Sequence, residues 1–277
     1  MRKTFWCVLS LLLVLACCTH NEKKQGTTNI QYADSTRYVL LHMEAQLPDA
    51  VDDVTSNVRA SLLNVLYDEV IQIGYGEDVS GVMSEVGESD EAQDVMSYYG
   101  KTLMTHLETL AKGDADERAS FGFNGEYPQW ECDMNIHKVF ETDDYWVYLS
   151  ENYVYLGGAH GGVTGSGYLT YGKSDGQLIG GMLDESREKD MQPLLYEGVK
   201  SYFEESGDVF DEDFLFVQDG YIPFPQKDPC PMGDSILFVY QQYEIAPYAM
   251  GMPSFKLPMA KVSSFLKPEA RKALGLD

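Results

Sequence analysis

Asn135-Ile-His-Lys-Val-Phe-Glu-Thr142 and Tyr145-Trp-Val-Tyr-Leu-Ser-Glu-Asn-Tyr-Val-Tyr-Leu156 are the stretches that decide the fold class. Both alternate in the manner of strands, and Asp143-Asp144 between them supplies turn chemistry. Gly165-Ser-Gly-Tyr-Leu-Thr-Tyr171 continues the pattern, and Lys173-Ser-Asp-Gly176 is a hairpin turn signal. Before residue 120 the period is helical instead. Val54, Val58, Leu62, Val65, Leu66, Glu69, Val70 and Ile73 follow helical spacing and stop at Gly74 and Gly76. A second helix is expected over 89–111, with a stripe of Val95, Tyr99, Leu103, Leu107 and Leu110 and a stop at Lys112-Gly113. A third is expected over 185–206, carrying Met191, Leu194, Leu195, Val199 and Phe203. Further strands are expected at Tyr38–Ala45, Phe214–Val217 and Ile236–Tyr240, and a short helix after Pro268. Helices segregated from antiparallel strands make an α+β protein, with helices packed on antiparallel sheet.

The chain has 277 residues, 44% of them hydrophobic and 12% aromatic, enough for one large domain or two ordinary ones. Its formal charge is −24, which argues against nucleic acid as a partner and favours encounter with cationic proteins. At the N-terminus, Arg2 and Lys3 precede an apolar run from Phe5 to Ala16 that is too short to span a bilayer comfortably. Val14-Leu15-Ala16-Cys17 then resembles a bacterial lipobox, which implies cleavage after Ala16 and a lipid anchor, palmitate among its chains, on Cys17. Loss of Arg2 and Lys3 takes the −24 of the full chain to −26. The expected organisation is a signal peptide over 1–16 and the lipidated cysteine with a polar tether over 17–29. A helix-rich α+β subdomain over 30–118 and a C-terminal α+β domain over 119–277 follow. One continuous sheet across that last boundary is the alternative. Cys132 and Cys230 lie in the folded part, either as a disulfide or as two buried thiols.

Several residues invite a chemical role. Gly157-Gly-Ala-His-Gly-Gly162 follows a strand and can form a turn that cradles a ligand, with His160 either binding or pinning the turn. The other histidines lack metal-ligand spacing to it, and no Gly-Lys-Ser/Thr follows the glycines, so neither a metal nor a phosphate loop is expected. Ser166 lacks the strand-to-helix elbow of a hydrolase nucleophile. Glu244, between Tyr243 and Tyr248, either anchors a turn through backbone N–H groups or acts as an acid or a sugar ligand. Asp52-Asp53 and Asp143-Asp144 read as solvated turns, and 211–213 as an exposed loop.

Two segments carry a resemblance. Asn152-Tyr-Val-Tyr-Leu-Gly-Gly-Ala-His-Gly161 and Tyr240-Gln-Gln-Tyr-Glu-Ile-Ala-Pro-Tyr-Ala-Met-Gly251 resemble two signatures of an extracytoplasmic domain family of unknown function. That family is known from the lysozyme-sensing anti-sigma factor RsiV and from the non-catalytic part of the peptidoglycan deacetylase PdaC. The likeness runs from about Tyr145 to Phe265; the stretch from Ile30 to about Asp116 is similar in outline to the companion N-terminal domain. It implies two RsiV-like subdomains and ligand-binding candidates Gly157, Gly158, His160, Tyr243, Glu244 and Tyr248. Neither an anti-sigma segment nor a deacetylase domain is visible, and Pro223, Pro225, Pro229 and Pro231 mark an insert. The expectation is a non-enzymatic, lipid-anchored envelope protein without cofactor or metal. Its expected partner is a lysozyme-like cationic muramidase or, alternatively, peptidoglycan; a hydrolase is the remoter expectation.

Overall fold

The computed structural model describes residues 26–73, 91–123, 125–158, 161–205, 210 and 212–277. The signal-like segment, Cys17, most of the tether, the start of the expected helix at Ser89 and His160 lie outside the described residues. Strands β1 (Thr27–Ser35), β2 (Val39–Pro48), β3 (Trp130–Glu141), β4 (Tyr145–Tyr155) and β5 (Val163–Gly172) form one sheet in the order β1-β2-β3-β4-β5. Helices α1 (Asp53–Ile73) and α2 (Ala92–Ser120) pack on one face. The fold class is α+β as expected, with one departure from antiparallel pairing: β2 and β3 run parallel, from Val39 opposite Trp130 to Ala45 opposite Ile136. That pair joins the two sides of the boundary placed at residue 118 into one continuous sheet. Residues 27–29, read as tether, belong to β1. Only Ile30 of that strand is buried, so the alternation there is too weak to read.

Sequence chemistry explains the helices. Asp52, read as a solvated turn residue, is the N-cap of α1. Its carboxylate accepts from the Thr55 backbone N–H at 2.8 Å, and this bond holds the carboxyl below its ordinary pKa. Thr55, Val58, Leu62, Leu66, Val70 and Ile73 then bury one face of α1. α2 does not stop at Lys112-Gly113 but runs on to Ser120. The ion pairs Glu108–Lys112 and Asp114–Arg118, both 3.0 Å and four residues apart, flank the glycine and offset part of its cost of about 1 kcal/mol. Gly100 lets α2 approach β1: a Cβ there would lie 2.2 Å from the Tyr32 ring.

The second layer holds α3 (Glu188–Glu205), the antiparallel sheet β6 (Cys230–Met232), β7 (Ser235–Val239) and β8 (Ser254–Pro258), then α4 (Met259–Val262) and α5 (Pro268–Ala273). Its core includes Met191, Leu195, Val199, Ile236, Phe238 and Tyr240. Strand β4 serves both cores. Trp146 and Tyr148 point to the first, Tyr145 and Val147 to the second, by the two-residue alternation of a strand. Phe214–Val217 is not a strand: 212–214 is a single 3₁₀ turn, and only Leu215 of Phe214–Phe216 is buried. Cys132 and Cys230 are unpaired thiols, one in each core, and burial pushes each up to about 12.

Candidate functional site

The two signature segments meet. The Tyr248 hydroxyl donates to the Gly162 carbonyl at 2.7 Å, and a Cβ on Gly161 would lie 3.1 Å from the same oxygen. Tyr248 also faces Tyr243, ring centroids 5.8 Å apart. Tyr243 has φ +65° and is 52% exposed, an L-residue held in the left-handed region at the surface. Phe214 (54% exposed) and Phe216 (57%) lie on the neighbouring segment, whose Phe216 N–H donates to the Ile245 carbonyl at 2.8 Å. Exposed aromatic residues thus lie both on the second motif and on the segment bonded to it.

Gly157 and Gly158 divide in role. Gly157 has φ +71°, and its carbonyl accepts from Arg118 Nη2 at 3.1 Å. A Cβ there would press on Trp130 and Pro128, so this glycine is demanded by the turn and its packing. Gly158 faces open space and lines a cleft.

Glu244 is an anchor. Its two carboxylate oxygens accept from the Gln226 and Gln241 backbone N–H groups, both at 2.7 Å. Desolvation raises its pKa, opposed by those two bonds. The carboxylate thereby ties the second motif to the Pro-rich loop. That loop is further pinned by Tyr240, which donates to the Pro223 carbonyl at 2.8 Å, and by Glu188 and Gln192 of α3. Asp228 accepts from the Gly181 and Met182 N–H groups at 2.7 and 2.8 Å.

Sequence reasoning did not single out the cleft that these anchors shape. It runs between α1 and the β4–β5 half of the sheet as two chambers of about 420 and 430 Å³. Glu69, Gln72, Asn152 and Val163 line both. Asn152 donates to the Glu69 carboxylate, and Ser150 Oγ lies 3.5 Å from it. Gln226, Lys227, Asp228 and Gln241 close the far wall. Gln241 and Gln242 also reach the free edge of β5. Their Oε1 atoms accept from Ser166 N–H at 3.0 Å and Thr164 N–H at 2.9 Å, in place of a sixth strand. Spacing could not reveal Glu69, because its partners lie 81 and 83 residues away. Among the described residues, no group of three or more His, Cys, Asp and Glu side chains is placed to hold a metal ion. Among them also, no helix is long and apolar enough to cross a membrane.

Comparisons with known proteins agree with this architecture. Residues 187–260, from α3 into α4 and including the second motif, match the family model described as "Protein of unknown function (DUF3298)". A crystal structure of a DUF3298 family member from Bacteroides fragilis is similar at 17% identity with a TM-score of 0.68, over 92% of this chain and 98% of that one. A DUF3298 family protein from Pseudomonas aeruginosa is similar at 14% identity and a TM-score of 0.54, over 90% and 97%. At these identities the likeness is one of fold. No curated protein matches the chain.

Proposed function

We propose that this is a non-enzymatic, lipid-anchored binding protein of the cell envelope, RsiV-like in type, that captures a cationic muramidase of the lysozyme class. The observation that carries this reading is the exposed aromatic group at the meeting of the two motifs. Tyr243 is held there in a conformation unfavourable to it, and the exposed Phe214 and Phe216 lie on the segment whose Phe216 N–H bonds to the Ile245 carbonyl. Aromatic side chains that are rigid and exposed are the usual anchors of protein recognition. The formal charge of −24 adds long-range attraction for a basic partner. In this reading a lipid on Cys17 holds the domain at a membrane, outside the cytoplasm.

The second reading, a peptidoglycan-binding module, draws on the carboxylate and amide groups of Glu69, Asn152 and Gln241 in the cleft. Calorimetric titration of the purified protein with lysozyme, at low and at physiological salt, separates the two. Capture predicts saturable binding that weakens with salt yet persists, and that Phe216→Ala reduces at least tenfold. Heat that vanishes with added salt means nonspecific attraction to an acidic surface and removes the lysozyme reading. Glycan fragments that bind independently of salt then favour the second.

A further inference from the structure

The cleft asks for a ligand of its own, separate from whatever the exposed aromatic group binds. Its floor is open because β5 turns Val163, Gly165 and Gly167 toward α1, on the same sheet face as Ser150, Asn152 and Val154 of β4. A Cβ at Gly167 would meet nothing closer than Lys227 Cδ at 3.9 Å, so packing does not demand a glycine there. The missing side chain leaves room beside Glu69. Around that carboxylate aliphatic side chains (Val65 and Ile73 from α1, Val154 and Leu156 at the end of β4, and Val163) alternate with Asp68, Gln72, Ser150 and Asn152, and Lys227 stands on the far wall.

A second observation concerns the β5 edge. At the opposite edge of the sheet Gln93 imitates a strand completely, accepting from the Gln31 N–H at 3.2 Å and donating to the Gln31 carbonyl at 2.8 Å. Gln241 performs only the accepting half. Its Nε2 is buried with no acceptor, although burial of an amide donor is costly unless it is paired. Gln241 and Glu69 line the same chamber. The chamber therefore holds a carboxylate and, within its wall, an amide donor that is unpaired and closed to solvent.

We propose that this cleft binds a lysine or arginine side chain carried on an extended peptide segment. The aliphatic stem lies along Val65, Val163 and the bare stretch at Gly167, and the cationic head reaches Glu69. A backbone carbonyl of the same segment accepts from Gln241 Nε2 when that buried amide turns toward the cleft. Lysine and arginine join an apolar stem to a charged tip in just this way. A sugar fits less well. Among the described residues the one aromatic that lines the cleft is Tyr168, and its ring packs into the second core, so those residues present no ring face for stacking.

The probe is a capped Gly-Lys-Gly tripeptide titrated into the purified protein and followed by amide chemical shifts. Saturable shifts at Ser150, Asn152 and Gly167 are expected, with at least tenfold weaker binding when the lysine is Nε-acetylated or when Glu69→Gln is made. Glu131→Gln removes the same charge from an exposed position outside the cleft and should change affinity less than twofold. Gly167→Val keeps every carboxylate and a strand-compatible residue but fills the cleft, and should abolish binding even if Glu69→Gln proves unstable. Four results overturn the proposal: no saturable shift at millimolar peptide, equal binding of the acetylated peptide, equal loss in Glu131→Gln, or unchanged binding in Gly167→Val. Because the lysozyme titration rests on Phe216 and Tyr243 and this one on Gly167 and Glu69, either can fail alone.

Discussion

Tyr243 sits at φ +65°, where an L-residue other than asparagine or aspartate bears a cost of about 1–2 kcal/mol. Tyr243→Asn should therefore leave stability unchanged or raise it by up to about 1 kcal/mol, while lysozyme affinity falls at least tenfold. Urea denaturation beside calorimetry checks both halves, and a variant that loses stability without losing affinity would mark Tyr243 as structural. Glu244 behaves in the opposite sense. Glu244→Ala strips two charge-assisted bonds from the backbone of Gln226 and Gln241 and should cost about 1.5–3 kcal/mol. Its raised pKa means that the folded state binds the proton more tightly than the unfolded chain. Its contribution is thus fullest in acid and declines as pH rises through the folded value, whereas Glu244→Gln removes that dependence. Denaturation of both forms across the carboxylate range should show the wild type losing ground to Glu244→Gln as pH rises. Sequence left Glu244 open between anchor and acid because its second partner lies 18 residues upstream, beyond any local pattern.

The edge strands set the next scale. β1 is closed by Gln93 and β5 by Gln241 and Gln242, side chains in positions where another chain's backbone would otherwise pair. Replacing Gln241 and Gln242 together with alanine should speed amide hydrogen exchange at Thr164 and Ser166, while Gln31 keeps its protection. The double substitution should cost about 1–3 kcal/mol, since each lost bond is worth about 0.5–1.5 kcal/mol. Equal exchange at all three positions would show that the glutamines do not guard the edge. Period was a sound guide where an element had a neighbour to bury against, as in α1, α3, β4 and β5. It misled at Phe214–Val217, where an apolar run of strand-like composition has no sheet beside it and exposes both phenylalanines. It also ended α2 too early, because a single glycine costs a helix only about 1 kcal/mol and the ion pairs around it return part of that.

Across the whole molecule, the two cores share β4, and β2 supplies the parallel partner of β3. A chain of residues 119–277 alone would expose Cys132, Met134, Ile136, Trp146, Tyr148 and Tyr171 on the face that α1 and α2 cover. It should show no cooperative unfolding transition by circular dichroism, whereas the intact chain does. Thiol chemistry offers an independent check. With each thiol pushed up to about 12, Cys132 and Cys230 should react with iodoacetamide at pH 8 on the order of a thousandfold more slowly than in denaturant. Peptide mapping of both residues reads this directly. What sequence by itself determined was local: the helical and strand periods, the α+β class, the strong acidity, and two motifs worth following. Tertiary structure alone decided that β2 and β3 pair in parallel, that the motifs meet at Tyr248 and Gly162, that the cysteines lie in separate cores, and that a cleft opens around Glu69. The physical reason is range. Periodicity records which face of one element is buried, whereas a cleft is made by groups from several elements whose proximity no single segment encodes.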